Sequence, residues 1–252
     1  MAVDLAGPCR VVDLREGDLQ RAGSVRVWNH FGRGHGAEAI SLRVMEFVAG
    51  ATMATVQESH EEILYVLEGT ATIAINGRGF PVRPETGVFL PPRTRVTFRV
   101  DRSAPLLVLS SRCPDPGSAA AFVPAPLDER DLYEGVDPTA YLWERSSRPT
   151  GDRWYRVLID ARQGCRESTQ FVGAVPPGRA PDHYHHYEEV LCILQGEGRM
   201  WADRANAPLA PGSCVFLPRN QVHCVENTGE GELRLLGVFH PSGSPAVRYD
   251  PE

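Results

Sequence analysis

The chain of 252 residues carries 32 acidic and 26 basic side chains, for a net charge of −6, and is 42% hydrophobic. This balance gives neither nucleic acid nor an anionic membrane an electrostatic reason to bind, and no apolar run approaches the roughly 20 residues of a membrane span. Every basic residue is arginine. Without lysine there is no Schiff base, no lysine general base and no phosphate-loop lysine.

Residues 1–23 place charges where a signal peptide needs its apolar stretch, so they read as the N-terminal arm of a cytoplasmic protein. Short β-branched and aromatic runs follow at 24–31, 39–48, 62–69, 70–77, 87–92, 95–100 and 105–111, separated by turn residues. His30 and His35 border FGRGHG, which lacks a GxGxxG pattern opening a helix and therefore reads as a loop. Residues 113–150, rich in Pro, Ala and acidic side chains, read as a linker crossing the surface, with room for one helical turn. Strand-like runs resume at 153–160, 168–178, 189–196, 196–203, 212–218, 223–227 and 232–240. The expected class is all-β, with one barrel or sandwich at 24–112 and another at 151–252. Cys9, Cys113, Cys165, Cys192, Cys214 and Cys224 form no CxxC pair and read as reduced core thiols.

The most informative stretch is HYHHYEEVLCILQG at 183–196. His183 and His185 sit two apart, so on an extended strand both imidazoles point to one side. Glu189 follows, and VFLPRNQVH at 215–223 brings His223. Three imidazoles and a carboxylate suit a first-row divalent metal. The neighbouring His186 reads as a surface residue.

The same blocks occur earlier in altered form. VQESHEEILYVLEG at 56–69 and VFLPPRTRV at 88–96 match 183–196 and 215–223 at a constant offset of 127. Both Glu-Glu pairs and both closing glycines align, but His183 falls on Val56, His185 on Glu58 and His223 on Val96. A repeat this long means a duplicated domain whose first copy has lost its imidazoles. An inward Glu62 there needs a cation, since a lone buried carboxylate is costly. Arg93 and Arg95 are the candidates, and His60 reads as a surface histidine.

Chemistry beside the metal needs a proton donor, acceptor or anchor within reach. The candidates are His240 at a strand end, Tyr187 with the parity of the ligands, Arg179 as an anchor for an acidic substrate, and Trp201 for stacking. Trp201 and Phe171 also read as barrel filling.

On these residues the chain resembles the cupin superfamily. Gly178, His183, His185, Glu189 and Gly196 follow its first motif; Gly212, Pro218, His223 and Asn227 follow its second, with Asn220 where Gly is more usual. The resemblance covers nearly the whole chain and implies a bicupin: two tandem jelly-roll β-barrels with a metal site in the C-terminal barrel only. It implies one divalent ion (Fe, Mn, Ni, Co or Zn) on His183, His185, Glu189 and His223, and a small-molecule substrate, and leaves homodimer formation open. For the reaction it is nearly silent. The three-His, one-Glu shell resembles that of cupin dioxygenases, while the same shell serves redox-neutral isomerases and lyases; bicupin aminohydrolases with a metal in the C-terminal barrel only are another precedent, with a less histidine-rich ligand set. A non-catalytic binding protein or sensor is the other class, although no helix-turn-helix segment accompanies the barrels.

Overall fold

The computed structural model of the protein describes residues 2–119, 121–127 and 130–251, and it is built almost wholly of antiparallel strands. Each half pairs one large sheet with a four-stranded one. In the first half, Ser41–Phe47, Glu61–Glu68, Thr86–Leu90 and Leu106–Cys113 form the centre of a seven-stranded sheet. It faces a sheet of Thr52–Val56, Ala71–Ile75, Arg78–Val82 and Arg95–Val100. In the second half, Thr169–Val175, Glu188–Gln195, Ser213–Leu217 and Leu233–His240 are central to an eight-stranded sheet. Opposite it lie Gly178–Arg179, Gly198–Ala202, Ala205–Leu209 and His223–Asn227. Each pair of sheets closes over its own apolar core, one centred on Phe47 and Phe98, the other on Phe239 and Met200. These are two tandem jelly-roll barrels. Among the described residues no helix is long and apolar enough to cross a membrane.

The internal repeat appears strand by strand. Glu61–Glu68 recurs as Glu188–Gln195 (61 to 188), Ala71–Ile75 as Gly198–Ala202 (71 to 198), Arg78–Val82 as Ala205–Leu209 (78 to 205) and Leu106–Cys113 as Leu233–His240 (106 to 233). Nearer the start the offset is 128, the first half having one residue more, and the place of His183 falls to Thr55 and not to Val56: Thr55 lies opposite Val96 as His183 lies opposite His223. Phe47 lies opposite Leu106 as Val175 lies opposite Leu233, so 47 corresponds to 175. The closing glycines fulfil their expected role: Gly69 and Gly196 have φ of +80° and +86°, and a Cβ would come within 2.2 Å of the Pro105 carbonyl or 2.9 Å of that of Glu232.

The arm and the linker are structured more than their composition suggests. Val3–Asp4 and Arg10–Asp13 extend the sheet of the second half, with Val12 opposite Cys214, whereas Asp18–Ala22 joins the first. Reciprocally, Thr139–Tyr141 of the linker adds to the first half, with Ala140 opposite Gly87. Each half therefore receives an edge strand from the segment that precedes the other. These strands are two to five residues long, too short to show alternation without the partner that selects them. His30, expected in a loop, is instead buried in Val25–Phe31, where Nε2 meets the Leu14 carbonyl at 3.0 Å.

Between the two large sheets lies a third apolar cluster, including Trp28, Phe31 and Phe89 from the first half and Leu158, Val172 and Phe216 from the second. Two carboxylates clasp this junction. Glu188 accepts backbone N–H bonds from Glu38 (2.6 Å), Ala39 (2.8 Å) and Ile40 (3.2 Å). Its counterpart Glu61 accepts from Arg166 (3.1 Å) and Glu167 (3.0 Å). Because successive strand residues face opposite sides, the first Glu of each pair grips the other half and the second turns into its own barrel. Glu188→Ala strands three backbone donors, and should lower the unfolding free energy by about 2–4 kcal/mol. Urea unfolding followed by tryptophan fluorescence checks this; a change below about 0.5 kcal/mol, the scale of a neutral surface substitution, would remove the clasp from the account.

Candidate metal centre

His183 and His223 are placed by backbone pairing. The His183 N–H donates to the His223 carbonyl at 3.0 Å, and the His223 N–H donates back to the His183 carbonyl at 2.9 Å. The Pro218–Asn220 turn secures His185, whose carbonyl accepts from the Asn220 N–H at 2.7 Å. Asn220 has φ of +61°, a left-handed conformation that asparagine tolerates better than most residues. Ring centroids are separated by 4.9 Å for His183 and His185, 4.5 Å for His183 and His223, and 5.0 Å for His185 and His223. Each ring offers a nitrogen within 4.8 Å of those of the other two. Glu189 lines the same cavity, with a carboxylate oxygen 3.9 Å from His185 Nε2.

The other nitrogen of every ring is occupied. Nδ1 of His183 meets the Pro181 carbonyl at 3.0 Å, that of His185 the Val247 carbonyl at 3.1 Å, and that of His223 the Gln221 carbonyl at 2.8 Å. A carbonyl can only accept, so each Nδ1 carries the proton and each Nε2 keeps a lone pair, the form a metal binds. Burial, reinforced by the neighbouring imidazoles, pushes His185 down to about 3; burial takes His223 down to about 4 and lowers His183. All three rings are thus neutral at physiological pH. Burial pushes Glu189 up to about 8. Tyr187 stacks on His185 at 4.3 Å and on Phe239 at 4.3 Å, fixing the ring from behind.

The first half answers its glutamate internally. Arg43 Nη2 donates to Glu62 at 2.8 Å, the Ser110 hydroxyl donates to the same oxygen at 2.5 Å, and Arg43 Nε donates to Ser110 at 2.9 Å. Burial opposes ionisation of Glu62, but Arg43, with His60, Ser110 and Arg112, holds its carboxyl well below the usual range. The expected partners Arg93 and Arg95 are exposed, on the turn and strand start beyond the barrel wall. His60 is buried, not superficial, with Nε2 3.9 Å from Glu62. Strand pairing sets Arg43 opposite Ser110, and Phe171 opposite Gly237; Arg112 opposite Glu62, and Phe239 opposite Glu189. Two arginines and a serine around Glu62 become two phenylalanines and a glycine around Glu189.

The remaining sequence candidates divide. Tyr187 and Phe171 line the cavity. His240 does not: it follows Phe239, so it faces the junction, where Nδ1 meets the Glu167 carbonyl at 2.8 Å and Cys113 Sγ at 3.1 Å. Arg179 and Trp201 lie outside as well. The guanidinium stacks on the indole at 4.3 Å and pairs with Asp182 at 3.0 Å, while the indole N–H donates to Glu226 at 2.7 Å. Trp201 alternates with buried Met200 and Ala202, which sends it outward. His186 is exposed, against Asn220 at 2.7 Å. Sequence reasoning missed Arg153, Arg248 and the Val247 carbonyl. Only Arg153 left a trace, an arginine with the parity of Tyr155 and Val157 in an otherwise apolar strand.

The cavity measures about 120 Å³. Apolar side chains including Phe171, Val175, Leu191 and Leu235 wall it, and Thr150, Arg153 and Arg248 stand on its solvent side. A cupin domain model matches residues 171–239, and an AraC-like ligand binding domain model matches 52–114. The chain belongs to the cupin superfamily. Among curated cupin relatives, quercetin 2,3-dioxygenase of Bacillus subtilis is 30% identical over 94 residues, covering 36% of this chain and 28% of that protein. An auxin-binding protein of Nicotiana tabacum is 31% identical over 99 residues, covering 34% of this chain and 53% of that one. The chain thus spans about a quarter to a half of these relatives. Oxalate decarboxylase from Bacillus subtilis at pH 4.6 shares the bicupin fold, with a TM-score of 0.71 at 15% identity over 93% of this chain and 77% of that one. The formate complex of the Lactobacillus farciminis enzyme has a TM-score of 0.72 at 14% identity over 92% and 86%.

Arg43→Met leaves the Glu62 carboxylate buried without its cation and should destabilise the protein by about 3–5 kcal/mol in chemical denaturation. Replacing both residues, with Met and Leu, should recover most of that loss. An unchanged midpoint in the single variant would mean that Glu62 does not depend on Arg43.

Proposed function

We propose that the protein is a divalent-metal-dependent enzyme acting on a small organic molecule in the second barrel, with His183, His185, Glu189 and His223 as the metal ligands. The observation that carries this reading is the commitment of all three Nδ1 atoms to backbone carbonyls, which turns three unprotonated Nε2 atoms toward one cavity. The donor set fits the group. Neutral imidazoles bind without first losing a proton, and Glu189 has two phenylalanines and a glycine where Glu62 has two arginines and a serine. Three nitrogens and one oxygen suit iron, manganese, nickel, cobalt or zinc. A bound ion would supply Lewis-acid polarisation of a substrate oxygen and, with a redox metal, access to dioxygen chemistry. The chain supplies the rest: Tyr187 and Val247 hold the His185 ring in one orientation, and the apolar wall keeps water away from the reacting end.

A dioxygenase-type oxidoreductase is the first reading of the reaction, supported by the three-His, one-Glu donors and by similarity to quercetin 2,3-dioxygenase. A redox-neutral isomerase, lyase or aminohydrolase is the alternative reading of the reaction. A binding role without turnover is supported by similarity to the auxin-binding protein.

Manganese added at 100 times its Kd should raise the unfolding free energy of the wild type by about 2.7 kcal/mol. In His185→Ala the affinity should fall by more than the roughly 10–100-fold that loss of a supporting partner costs. Glu58→Gln should leave metal binding unchanged. Equal stabilisation of the wild type and His185→Ala would overturn the ligand assignment. With a turned-over substrate, an oxygen electrode separates the reactions: uptake matching substrate loss marks the dioxygenase, and undiminished turnover under argon marks redox-neutral chemistry.

A further inference from the structure

Two arginines line the candidate metal cavity, and the protein leaves neither of them properly answered. Arg153 begins the strand Arg153–Ile159, its side chain 17% exposed, and among the described residues its one ion pair is with the adjacent Asp152, at 3.6 Å with 74% of that side chain in solvent. Its Nε is buried without a hydrogen-bond partner. A buried guanidinium donor left unpaired costs roughly 1–3 kcal/mol or more, so the position invites an acceptor. Arg248 arrives from the segment after the last strand, and makes no ion pair among the described residues. It is held there by its neighbours. Val247 gives its carbonyl to His185 Nδ1 at 3.1 Å, and Tyr249 exchanges backbone hydrogen bonds with Tyr184 at 2.9 and 3.0 Å while the two rings stack at 5.5 Å.

The charge around the cavity is one-sided. Its lining contains two guanidiniums and a single carboxylate, Glu189, which the metal reading already engages. With a divalent ion in place the excess of positive charge grows. Arg179, the anchor suggested by the sequence, is paired with Asp182 on the outer surface and does not contribute. The planar fork of arginine matches a carboxylate in two-point contact, and a cavity of about 120 Å³ admits only a small molecule.

We infer that Arg153 and Arg248 form a carboxylate clamp on the solvent side of the metal cavity, and that the substrate is a small organic acid. Its carboxylate lies between the two guanidiniums, and its reacting end extends past Phe171 and Leu235 toward the imidazoles. The choice of substrate class rests on the proposed metal site, but the clamp itself belongs to the chain and operates with or without the ion. Because Arg248 and the Val247 carbonyl are adjacent, the segment that brings the anchor also sets the tautomer of His185. Substrate capture and ligand orientation thus share one structural support.

Isothermal titration of the full chain tests the clamp, with malonate as the anionic probe and malonamide as its uncharged counterpart of similar size. The titrations are run with one equivalent of manganese and again after removal of metal by EDTA. Malonate should bind in both states, more weakly in high salt, and malonamide should give no saturable heat. Arg153→Gln and Arg248→Gln should each weaken malonate at least about tenfold with manganese stoichiometry unchanged, while Arg179→Gln matches the wild type. Binding of malonamide as tight as malonate, wild-type affinity in both clamp variants, or no saturable binding of malonate, glyoxylate or acetate would overturn the clamp. Malonate binding that needs the arginines in a chain that takes up no manganese would leave the clamp standing and remove the metal reading instead.

Discussion

A carboxylate enclosed in a β-barrel loses its hydration, and the residual penalty in a protein is several kcal/mol unless positive charge or strong donors replace the water. Both barrels face this constraint at the same strand position. In the first, Arg43 and the Ser110 hydroxyl bind Glu62 through one oxygen, with Arg112 close by, so that its charge is answered within the protein. In the second, Phe171, Gly237 and Phe239 occupy those places, and burial alone drives Glu189 up to about 8. The three imidazoles grouped beside Glu189 follow the same division: none of them has a counterpart in the first barrel, where arginines, with the unrelated His60 nearby, answer Glu62. A guanidinium answers that electrostatic problem inside the first barrel, and the proposed metal ion would answer it inside the second.

The first barrel still shapes the site. Glu188 and Glu189 are consecutive, so the bonds that fix Glu188 to Glu38, Ala39 and Ile40 of the first half also fix the start of the strand that presents Glu189. Edge strands exchanged in both directions and the apolar cluster between the large sheets make the junction part of both barrels. Equivalent positions meet across it: Cys113 touches His240, its counterpart 127 residues later, at 3.1 Å. The junction therefore has the character of a twofold dimer interface held within one chain. His240 belongs to that interface, which explains why a histidine near the end of a barrel strand is no part of the cavity.

Much of this was legible in the sequence. The offset of 127 located both barrels, strand parity brought His183 and His185 together, and the Glu-Glu pairs marked the two strand heads. What escaped notice depended on contacts with no local signal. Arg43 lies before the aligned blocks, where the repeat has slipped by one residue, so its correspondence with Phe171 was hidden. Arg93 and Arg95 were nearer in sequence to the expected site but project from a turn and a strand start into solvent. The exchanged strands at 10–13 and 139–141 are too short to alternate visibly, and their partners lie about two hundred or about fifty residues away. Arg248 sits in an irregular segment whose course is set by Tyr184 and His185, so its approach to the cavity could be seen only in three dimensions.

The central claim, that the surroundings of the buried glutamate decide between an internal arginine and a metal ion, is tested most directly by elemental analysis of the wild type beside the Phe171→Arg, Gly237→Ser double variant. That pair of substitutions gives Glu189 the strand neighbours that Arg43 and Ser110 give Glu62, and removing Phe171 also relieves the 2.4 Å approach its ring would make to a side chain at position 237. After reconstitution with manganese, iron or zinc, the account predicts one equivalent of metal per wild-type chain and essentially none in a folded double variant. A wild type that holds no metal, or a double variant that holds it as tightly as the wild type, would contradict it.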